Sequence, residues 1–272
     1  MKRTALDFLD VQVDTQTMPS HPLPRISIIT AVRNSVETID ECLGSIAIQS
    51  YRNIEHIVVD GASTDGTLNV LAGHHPQIDV LVSEPDAGIY EALNKGLALA
   101  TGEIIGFLHA DDVYAGPSIL QDIAAAFSDP LVGAVYGDLQ YVRKNDLNRV
   151  VRHWNAGHFT QNRLAWGWMP PHPTLYVRRK WYDRVGSFDL KYQIAADYYS
   201  ILRLFSHIEL NPVHLPKVMV KMRIGGLSNR SLATIVQKSR EDLDALNRSG
   251  VGGLHTLMWK NLSKIRQLLV SS

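Results

Sequence analysis

The sequence predicts an α/β fold built around a largely parallel sheet. Short apolar runs alternate with segments whose apolar residues repeat at helical spacing, which is the pattern of strand–helix–strand units. Three predicted strands in the first half end on polar residues, at Thr30, at Asp60 and at the pair Asp111 and Asp112. In an open parallel sheet such ends meet at one edge, where ligands bind. The 272 residues fit one large domain, or one domain with an appendage.

Periodicity places the individual elements along the chain. Strands are predicted at 26–30, 54–59, 78–82, 104–108, 133–142, 174–177 and 217–223. Helices are predicted at 35–47, 67–72, 89–100, 117–127, 179–185, 197–205, 231–248 and 254–269. Residues 150–173 follow no clear period, and we expect irregular structure or short antiparallel pieces there. Because crossovers through helices are right-handed and join parallel strands, the first half should form a parallel sheet.

Composition excludes several classes of protein. The 27 basic and 27 acidic residues balance, so bulk charge gives no reason to expect nucleic-acid binding. The single cysteine, Cys42, excludes an intramolecular disulfide and a multi-cysteine metal site; we expect it to be a small buried apolar side chain in a cytoplasmic protein. No apolar run is long enough to span a bilayer, and residues 1–24 lack the apolar core of a signal peptide.

The adjacent acids Asp111 and Asp112 follow a strand of buried composition. Two neighbouring carboxylates repel each other unless a cation lies between them. A hard divalent ion with oxygen ligands, shared with substrate phosphates, satisfies that requirement. The alternative is a strand-end turn in which the two acids cap the next segment. The glycine-rich fingerprints of dinucleotide and P-loop sites are absent, so any phosphates would be held by a metal rather than by such a loop.

Several blocks of the sequence, taken in order, match one known family. They lie at 28–34, 58–67, 83–90 with Ala92, Asn94 and Gly96, 107–112, 185–189, 196–198 and 225–228. These blocks resemble the motifs of the family 2 nucleotide-sugar glycosyltransferases, especially the members that make cell-envelope polysaccharides and glycolipids. Each block alone is short, but their order and spacing over residues 25–230 make the resemblance specific.

The resemblance implies a GT-A fold, with a Rossmann-like, mostly parallel central sheet, flanking helices and a C-terminal helical extension. It implies a hexosyltransferase type of activity that uses a UDP- or GDP-linked sugar, more often UDP, with manganese or magnesium, and inverts the anomeric centre in a single displacement. We divide the chain accordingly into a lead-in (1–24), a nucleotide-sugar-binding half (25–112), an acceptor half (113–230) and C-terminal helices (231–272).

On the donor side, the resemblance assigns roles position by position. It implies that Asp60 contacts the base, usually uracil, and that Thr30 lines the base pocket through its backbone. It also implies that three residues shape the nucleotide site, namely Asp86, Gly88 and Asn94.

The resemblance also assigns the reacting groups. It places Asp111 and Asp112 at the ribose and at the metal-bound diphosphate, without dividing these contacts between them. It makes Asp197 the general base, because a carboxylate in the second half can take the proton of the attacking hydroxyl from the side opposite the leaving group. His172, which lies between prolines, is a candidate for an acceptor or diphosphate contact; the alternative is a solvated loop histidine.

Three departures from the family pattern shape these expectations. The first position of the DxD triplet is His109, and the usual Glu-Asp before the base helix is Ala196 followed by Asp197. The Gln-x-x-Arg-Trp sequence of processive synthases is absent, so we expect one sugar to be transferred per encounter.

Other readings of the chain stay open at this point. A nucleotidyltransferase would normally show a basic glycine-rich loop after the first strand, and a non-catalytic sugar-nucleotide-binding module would bind a donor without turnover. The basic amphipathic helix predicted at 254–269 has three alternatives: docking on its own domain, a homodimer contact, or a peripheral contact with the inner face of the membrane. The expected acceptor is a glycan or glycolipid, and the expected location is the cytoplasm or that inner face.

Overall fold

The computed structural model describes residues 23–225 and 232–260. Most of the expected lead-in, the block at 226–228 and the end of the last predicted helix lie outside the described residues. No helix within the two described ranges has the length and apolar composition needed to cross a membrane.

Four parallel strands form the first half of the central sheet. They are β1 (Ile26–Val32), β2 (Ile54–Asp60), β3 (Val80–Ser83) and β4 (Ile104–Phe107), in the spatial order β3-β2-β1-β4. Val32 pairs with Asp60, and Ile29 pairs with Phe107, so the ends of these strands lie side by side. This is the edge that the sequence predicts as the ligand-binding edge.

Five further strands extend the sheet in mixed directions. They are β5 (Asp112–Tyr114), β6 (Ala134–Arg143), β7 (Asp146–Trp154), β8 (Tyr176–Arg178) and β9 (Pro212–Arg223). Strand β8 joins the parallel half by antiparallel pairing with β4, and β6 runs antiparallel to β7 and β8 but parallel to β9. The predicted α/β class is confirmed, with the parallel pairs concentrated in the first half.

Helices cover both faces of the sheet. They are α1 (Ile39–Ala47), α2 (Thr67–Gly73), α3 (Ile89–Leu99), α4 (Ile119–Ala126), α5 (Gln161–Ala165), α6 (Arg179–Val185), α7 (Ala196–Phe205) and α8 (Leu232–Ser249). Successive strand residues face opposite sides, so Ile28 packs with α1, α2 and α4, whereas Ile29 packs with α3, α6 and α7. Cys42 of α1 is fully buried in the first of these layers, as predicted.

The structure departs from the sequence prediction at several places. The strand predicted to end on Asp111 and Asp112 ends at Phe107 instead, and Asp112 begins the separate strand β5 after a short turn. Strand β7 forms an antiparallel hairpin with β6 that begins at Asp146, before the segment 150–173 where irregular structure or short antiparallel pieces are predicted; most of its side chains are exposed because it lies at an edge of the sheet. The first helix begins at Ile39, because the backbone carbonyl of Ser35 accepts from the N–H groups of Thr38 and Ile39 before the helix starts. Strand β9 begins earlier than predicted, at Pro212, because pairing with β6 extends to that residue.

The start of the last predicted helix is docked on the domain. Residues 254–260 are helical. Lys260 Nζ lies 2.9 Å from Asp242 Oδ2 of α8, and both side chains are buried. The same ammonium group lies 3.1 Å from the ring centroid of Tyr198 in α7. Of the alternatives for this helix, docking on its own domain is the one that these residues adopt.

Two helical glycines give a matched test of this packing. A Cβ on Gly96 of α3 would overlap Ile29 Cγ2 of β1, whereas a Cβ on Gly44 of α1 would meet nothing within 4 Å. Alanine has the better helix propensity, so we expect Gly44→Ala to raise the free energy of unfolding by roughly 0.5–1 kcal/mol. We expect Gly96→Ala to lower it by about 1–3 kcal/mol, because the core is overpacked. Chemical denaturation measures both, and a stabilised Gly96→Ala variant would contradict the close approach of α3 to β1.

Candidate active site

Asp60 ends β2 at the predicted edge and is fully buried. Its carboxylate accepts from the Ser63 backbone N–H at 3.0 Å and from Ser83 Oγ at 2.7 Å, and also from the Ser63 hydroxyl. The turn after β2 is thereby tied to the end of β3. The carboxylate is rigidly placed, and these bonds hold it within the strand-end turns.

Asp86 lies over the turn that follows β2. A Cβ on Gly61 would lie 2.5 Å from Asp86 Oδ2 and 3.3 Å from Arg33 Cδ, so only glycine leaves room for this carboxylate and for the arginine stem. Gly88, with φ of 148°, donates from its N–H to Asp86 Oδ1 at 3.1 Å and precedes α3. The exposed Arg33 therefore brings a cation to the donor edge, which the sequence reasoning overlooked.

Thr30 and Asn94 are both committed to protein contacts. The side chain of Thr30 is buried and its Oγ1 lies 3.1 Å from His56 Nε2, so only its backbone belongs to the sheet edge. The Asn94 amide donates to the Phe188 carbonyl and accepts from the Phe188 N–H, both at 2.9 Å. Asn94, which was predicted to shape the nucleotide site, therefore joins α3 to the acceptor half.

The two adjacent acids differ sharply in exposure. Asp111 is half-buried, whereas Asp112 is fully buried, and within the described residues neither of its carboxylate oxygens has a hydrogen-bond partner. Burial, and then the charge of Asp111, raise the pKa of Asp112 well above its usual range. Arg223 Nη1 donates to the backbone carbonyl of Asp111 at 2.6 Å, and this guanidinium also pairs with Glu41.

This donor set fits a divalent cation that takes most of its ligands from elsewhere. In the part of the chain that the structure describes, no group of three or more His, Cys, Asp or Glu side chains could hold a metal ion alone. The pair of Asp111 and Asp112 offers hard oxygen ligands, and the buried oxygens of Asp112 have no hydrogen-bond partner in residues 23–225 and 232–260. A magnesium-like site commonly uses one or two carboxylates and completes its shell with water and substrate phosphates.

Two histidines lie between the donor edge and Asp197. The rings of His109 and His172 are 6.1 Å apart, and His172 also stacks on Phe107 at 5.4 Å. Burial lowers the pKa of His109, although the charges of Asp111 and Asp197 oppose this shift. Burial likewise lowers the pKa of His172 to about 4, so its imidazole is neutral at neutral pH. His172 is 6% exposed, and its Nε2 has no hydrogen-bond partner among the described residues.

Asp197 lies in the first turn of α7. Its Oδ1 accepts from the Tyr198 N–H at 2.7 Å and from the Tyr90 hydroxyl at 3.1 Å. The Tyr90 hydroxyl also donates to the Ile194 carbonyl at 2.6 Å. Sequence reasoning missed Tyr90 as a partner of Asp197, although it is the last residue of a family-like block. The structure thus brings Asp111, His109, His172 and Asp197 into one neighbourhood, linked to the donor half by Tyr90.

Asp138 does not belong to this neighbourhood. Its Oδ1 accepts from the Ala156 N–H at 2.9 Å and lies 3.0 Å from His214 Nε2. These bonds tie Asp138 of β6 to the segment after β7 and to β9.

Comparisons with known proteins place this arrangement in a family. The model of a family described as glycosyl transferase family 2 matches residues 27–191. The chain belongs to glycosyltransferase family 2. A PGL/p-HBAD biosynthesis glycosyltransferase of Mycobacterium bovis is 32% identical over 220 residues, which cover 79% of this chain and 82% of that protein.

Two solved structures share the fold of this family 2 glycosyltransferase. TarS of S. aureus, residues 1–349 in complex with UDP-GlcNAc, superposes with a TM-score of 0.64 at 19% identity over 84% of this chain and 66% of that chain. A mannosyltransferase of Pyrobaculum calidifontis, in complex with GDP-Man and Mn²⁺, gives a TM-score of 0.63 at 24% identity over 93% of this chain and 74% of that chain. The predicted family, enzyme class and GT-A fold are confirmed.

The neutrality of His172 gives a pH-dependent test of the site. Below about pH 6.5 the unfolded chain takes up a proton on this residue, which the folded protein refuses until about pH 4. The stability that the neutral imidazole contributes is therefore complete above pH 6.5 and is lost as pH falls toward 4. We expect the stability difference between the wild type and His172→Asn to shrink over this range in urea denaturation.

Ile28→Val is the control for that experiment, because it weakens the core layer on the other face of the sheet, away from His172, without removing a titrating group. Its destabilisation should be the same at neutral and at acidic pH. A difference between the wild type and His172→Asn that is equally independent of pH would contradict the buried, neutral imidazole.

Proposed function

We propose that this glycosyltransferase moves one sugar from a UDP- or GDP-linked donor to a hydroxyl of a glycan or glycolipid, in a metal-dependent inverting displacement. The observation that carries the proposal is the arrangement of two sets of acids. Asp60 ends β2, Asp86 follows β3, Asp111 lies in the turn after β4 and Asp112 begins β5, whereas Asp197 comes from a helix of the second half. A single displacement with inversion needs this arrangement, because the base must act from the side opposite the leaving group.

On the donor side, the two adjacent acids would have different roles because they differ in burial. Asp111 is the more accessible and would contact the metal-bound diphosphate, while the buried Asp112 beside it in the chain would be ionised and add negative charge when the cation is bound. A bound divalent ion would neutralise charge that develops on the leaving diphosphate. Asp60 and Asp86, with Gly88 and the backbone of Thr30, would form the base and ribose end of the site.

On the acceptor side, Asp197 would take the proton of the attacking hydroxyl. Both bonds that the described residues make to Asp197 use Oδ1, which leaves Oδ2 for that proton. The neutral His172 has no hydrogen-bond partner for its Nε2 among the residues that the structure describes, and it would contribute a hydrogen bond to the acceptor or to the diphosphate. A neutral imidazole can orient the acceptor or the diphosphate by a hydrogen bond without placing a second positive charge next to the metal ion.

The setting that we propose is cell-envelope biosynthesis on the cytoplasmic side of the membrane. It is supported by the sequence resemblance to cell-envelope members of the family and by the similarity to a PGL/p-HBAD biosynthesis enzyme. The complexes of the two structural neighbours with UDP-GlcNAc and with GDP-Man and Mn²⁺ support a nucleotide-sugar donor and a divalent ion.

Asp197→Asn tests the proposed base. Asparagine keeps the shape of the side chain and can still accept from Tyr90 and from the Tyr198 N–H, but it cannot take a proton at neutral pH. General-base catalysis is worth about a hundredfold to ten-thousandfold in rate. We expect turnover to fall by a factor in that range, while the affinity for the donor and the melting temperature barely change.

The control is Asp183→Asn, which makes the same chemical change on an exposed position of α6 in the same half. It should leave turnover unaltered. Near-normal turnover of Asp197→Asn would remove this residue from the mechanism.

A further inference from the structure

Side chains on one face of α8 form hydrogen bonds and an ion pair with the loop 189–195, which leads into the helix that carries Asp197. Gln237, Glu241, Asp244 and Arg248 follow one another at intervals of three or four residues, so they share one face of the helix. Arg248 Nη1 lies 2.8 Å from Asp189 Oδ2 at the start of the loop. Three residues later along the loop, Tyr192 donates from its hydroxyl to Asp244 Oδ2 at 2.6 Å.

Glu241 holds the end of this loop nearest to Asp197. Its Oε2 accepts from the backbone N–H groups of Ile194 at 2.8 Å and Ala195 at 2.9 Å. Its Oε1 accepts from the Gln193 N–H at 3.3 Å and from Gln237 Nε2 at 3.0 Å. Three consecutive backbone donors of the loop therefore converge on one carboxylate from another helix.

This carboxylate binds the N–H of the N-cap residue of α7 and holds the turn before the helix through the two preceding N–H groups. The N-cap residue of α7 is Ala195, which has no side-chain oxygen and provides no capping bond. The N–H groups at a helix start need acceptors, and a negative charge there is favourable because of the helix dipole. The preceding acid of the family pattern is Ala196 in this chain, so Glu241 is the acid that supports the helix start from across the fold.

The same loop is held from its other side by α3. Tyr90 donates to the Ile194 carbonyl at 2.6 Å and to Asp197 Oδ1 at 3.1 Å. Burial, and then the charge of Asp197, raise the pKa of Tyr90 well above its usual range, so the phenol stays protonated and remains a donor. Ile194 is thus fixed through its N–H by Glu241 and through its carbonyl by Tyr90. Three residues later the chain reaches Asp197.

We propose that Glu241 is a positioning residue for Asp197: by binding the N–H groups of 193–195, it sets where the Asp197 carboxylate meets the acceptor. The inference rests on the proposed role of Asp197 as general base. It gives the C-terminal helix α8 a part in the reaction, although α8 lies beyond residues 27–191 matched by the family model. A small displacement of a reacting group, on the order of 1 Å, can cost about a hundredfold in rate.

The test compares Glu241→Gln with Asp244→Asn. Both replace a carboxylate by an amide on the same face of α8. Among the described residues, however, Asp244 is hydrogen-bonded to the side chains of Lys191 and Tyr192, and the backbone donors near Asp197 stay with Glu241. Turnover is measured as release of UDP or GDP from UDP-GlcNAc or GDP-mannose, with water as the acceptor. Hydrogen exchange of the amides of 193–197 is measured in the same proteins.

For Glu241→Gln we expect the maximal rate to fall at least about tenfold, because the base is misplaced, while the KM for the donor stays close to that of the wild type. The amides of Ile194 and Ala195 should exchange faster. Asp244→Asn should keep both the rate and the slow exchange of these amides, and Glu241→Asp, which retains the charge, should recover part of the lost rate. A general loss of structure would give a different pattern. The KM for the donor would change, amides throughout the domain would exchange faster, and Glu241→Asp would not recover the rate.

Two results would overturn the proposal. Unchanged exchange at 193–197 in Glu241→Gln would show that Glu241 does not hold the loop. Faster exchange with a normal rate would show that the loop need not be held for catalysis. Asp197→Asn, assayed in parallel, separates this inference from the proposed function: if that variant turns over normally, Asp197 is not the base, whereas the exchange data still decide whether Glu241 anchors the loop.

Discussion

The parallel register of β1 with its two neighbours is the constraint on which the site depends. Val32 pairs with Asp60 on one side, and Ile29 pairs with Phe107 on the other. These backbone bonds fix how far each strand extends, and therefore where the following turns begin. A slip of one residue would move every side chain of the strand to the other face of the sheet. The donor-side acids meet at one edge because this register is held by a packed core on both faces.

The negative charges at that edge favour the binding of a cation. Asp112 is buried beside Asp111, and neither of its carboxylate oxygens finds a partner within the described residues. The nearest guanidinium bond on this segment, from Arg223, goes to the backbone carbonyl of Asp111 and not to either carboxylate. A buried, unpaired carboxylate is costly, and a divalent ion that is shared with a diphosphate would remove that cost. The same physical argument accounts for the raised pKa of Asp112 and for the proposed metal dependence.

The sequence alone was sufficient to predict those elements whose residue pattern lies within one short stretch of the chain. Apolar runs that end in acids predicted the parallel strands and the edge where Asp60 and Asp111 lie. For the β6–β7 hairpin the sequence predicted no more than irregular structure or short antiparallel pieces, because β7 is an exposed edge strand without regular alternation. The two hydrogen bonds between the Asn94 side chain and the Phe188 backbone depend on how distant segments pack, so the sequence alone does not predict them. The difference in burial between Asp111 and Asp112 depends on packing in the same way. Glu241 carries no motif, and only the folded chain brings it to the loop before Asp197.

Metal-dependent binding of the nucleotide is the measurement that tests the central claim most directly. Calorimetric titration of the wild type and of Asp111→Asn with UDP and GDP, in manganese and in EDTA, separates nucleotide binding that depends on the metal from binding that does not. We expect one nucleotide to bind the wild type in manganese, to bind much more weakly in EDTA, and to lose its dependence on manganese in Asp111→Asn while the melting temperature of the variant stays near that of the wild type. Binding that is equally strong in EDTA, or an unchanged manganese dependence in Asp111→Asn, would contradict a donor site built on the strand-end carboxylates.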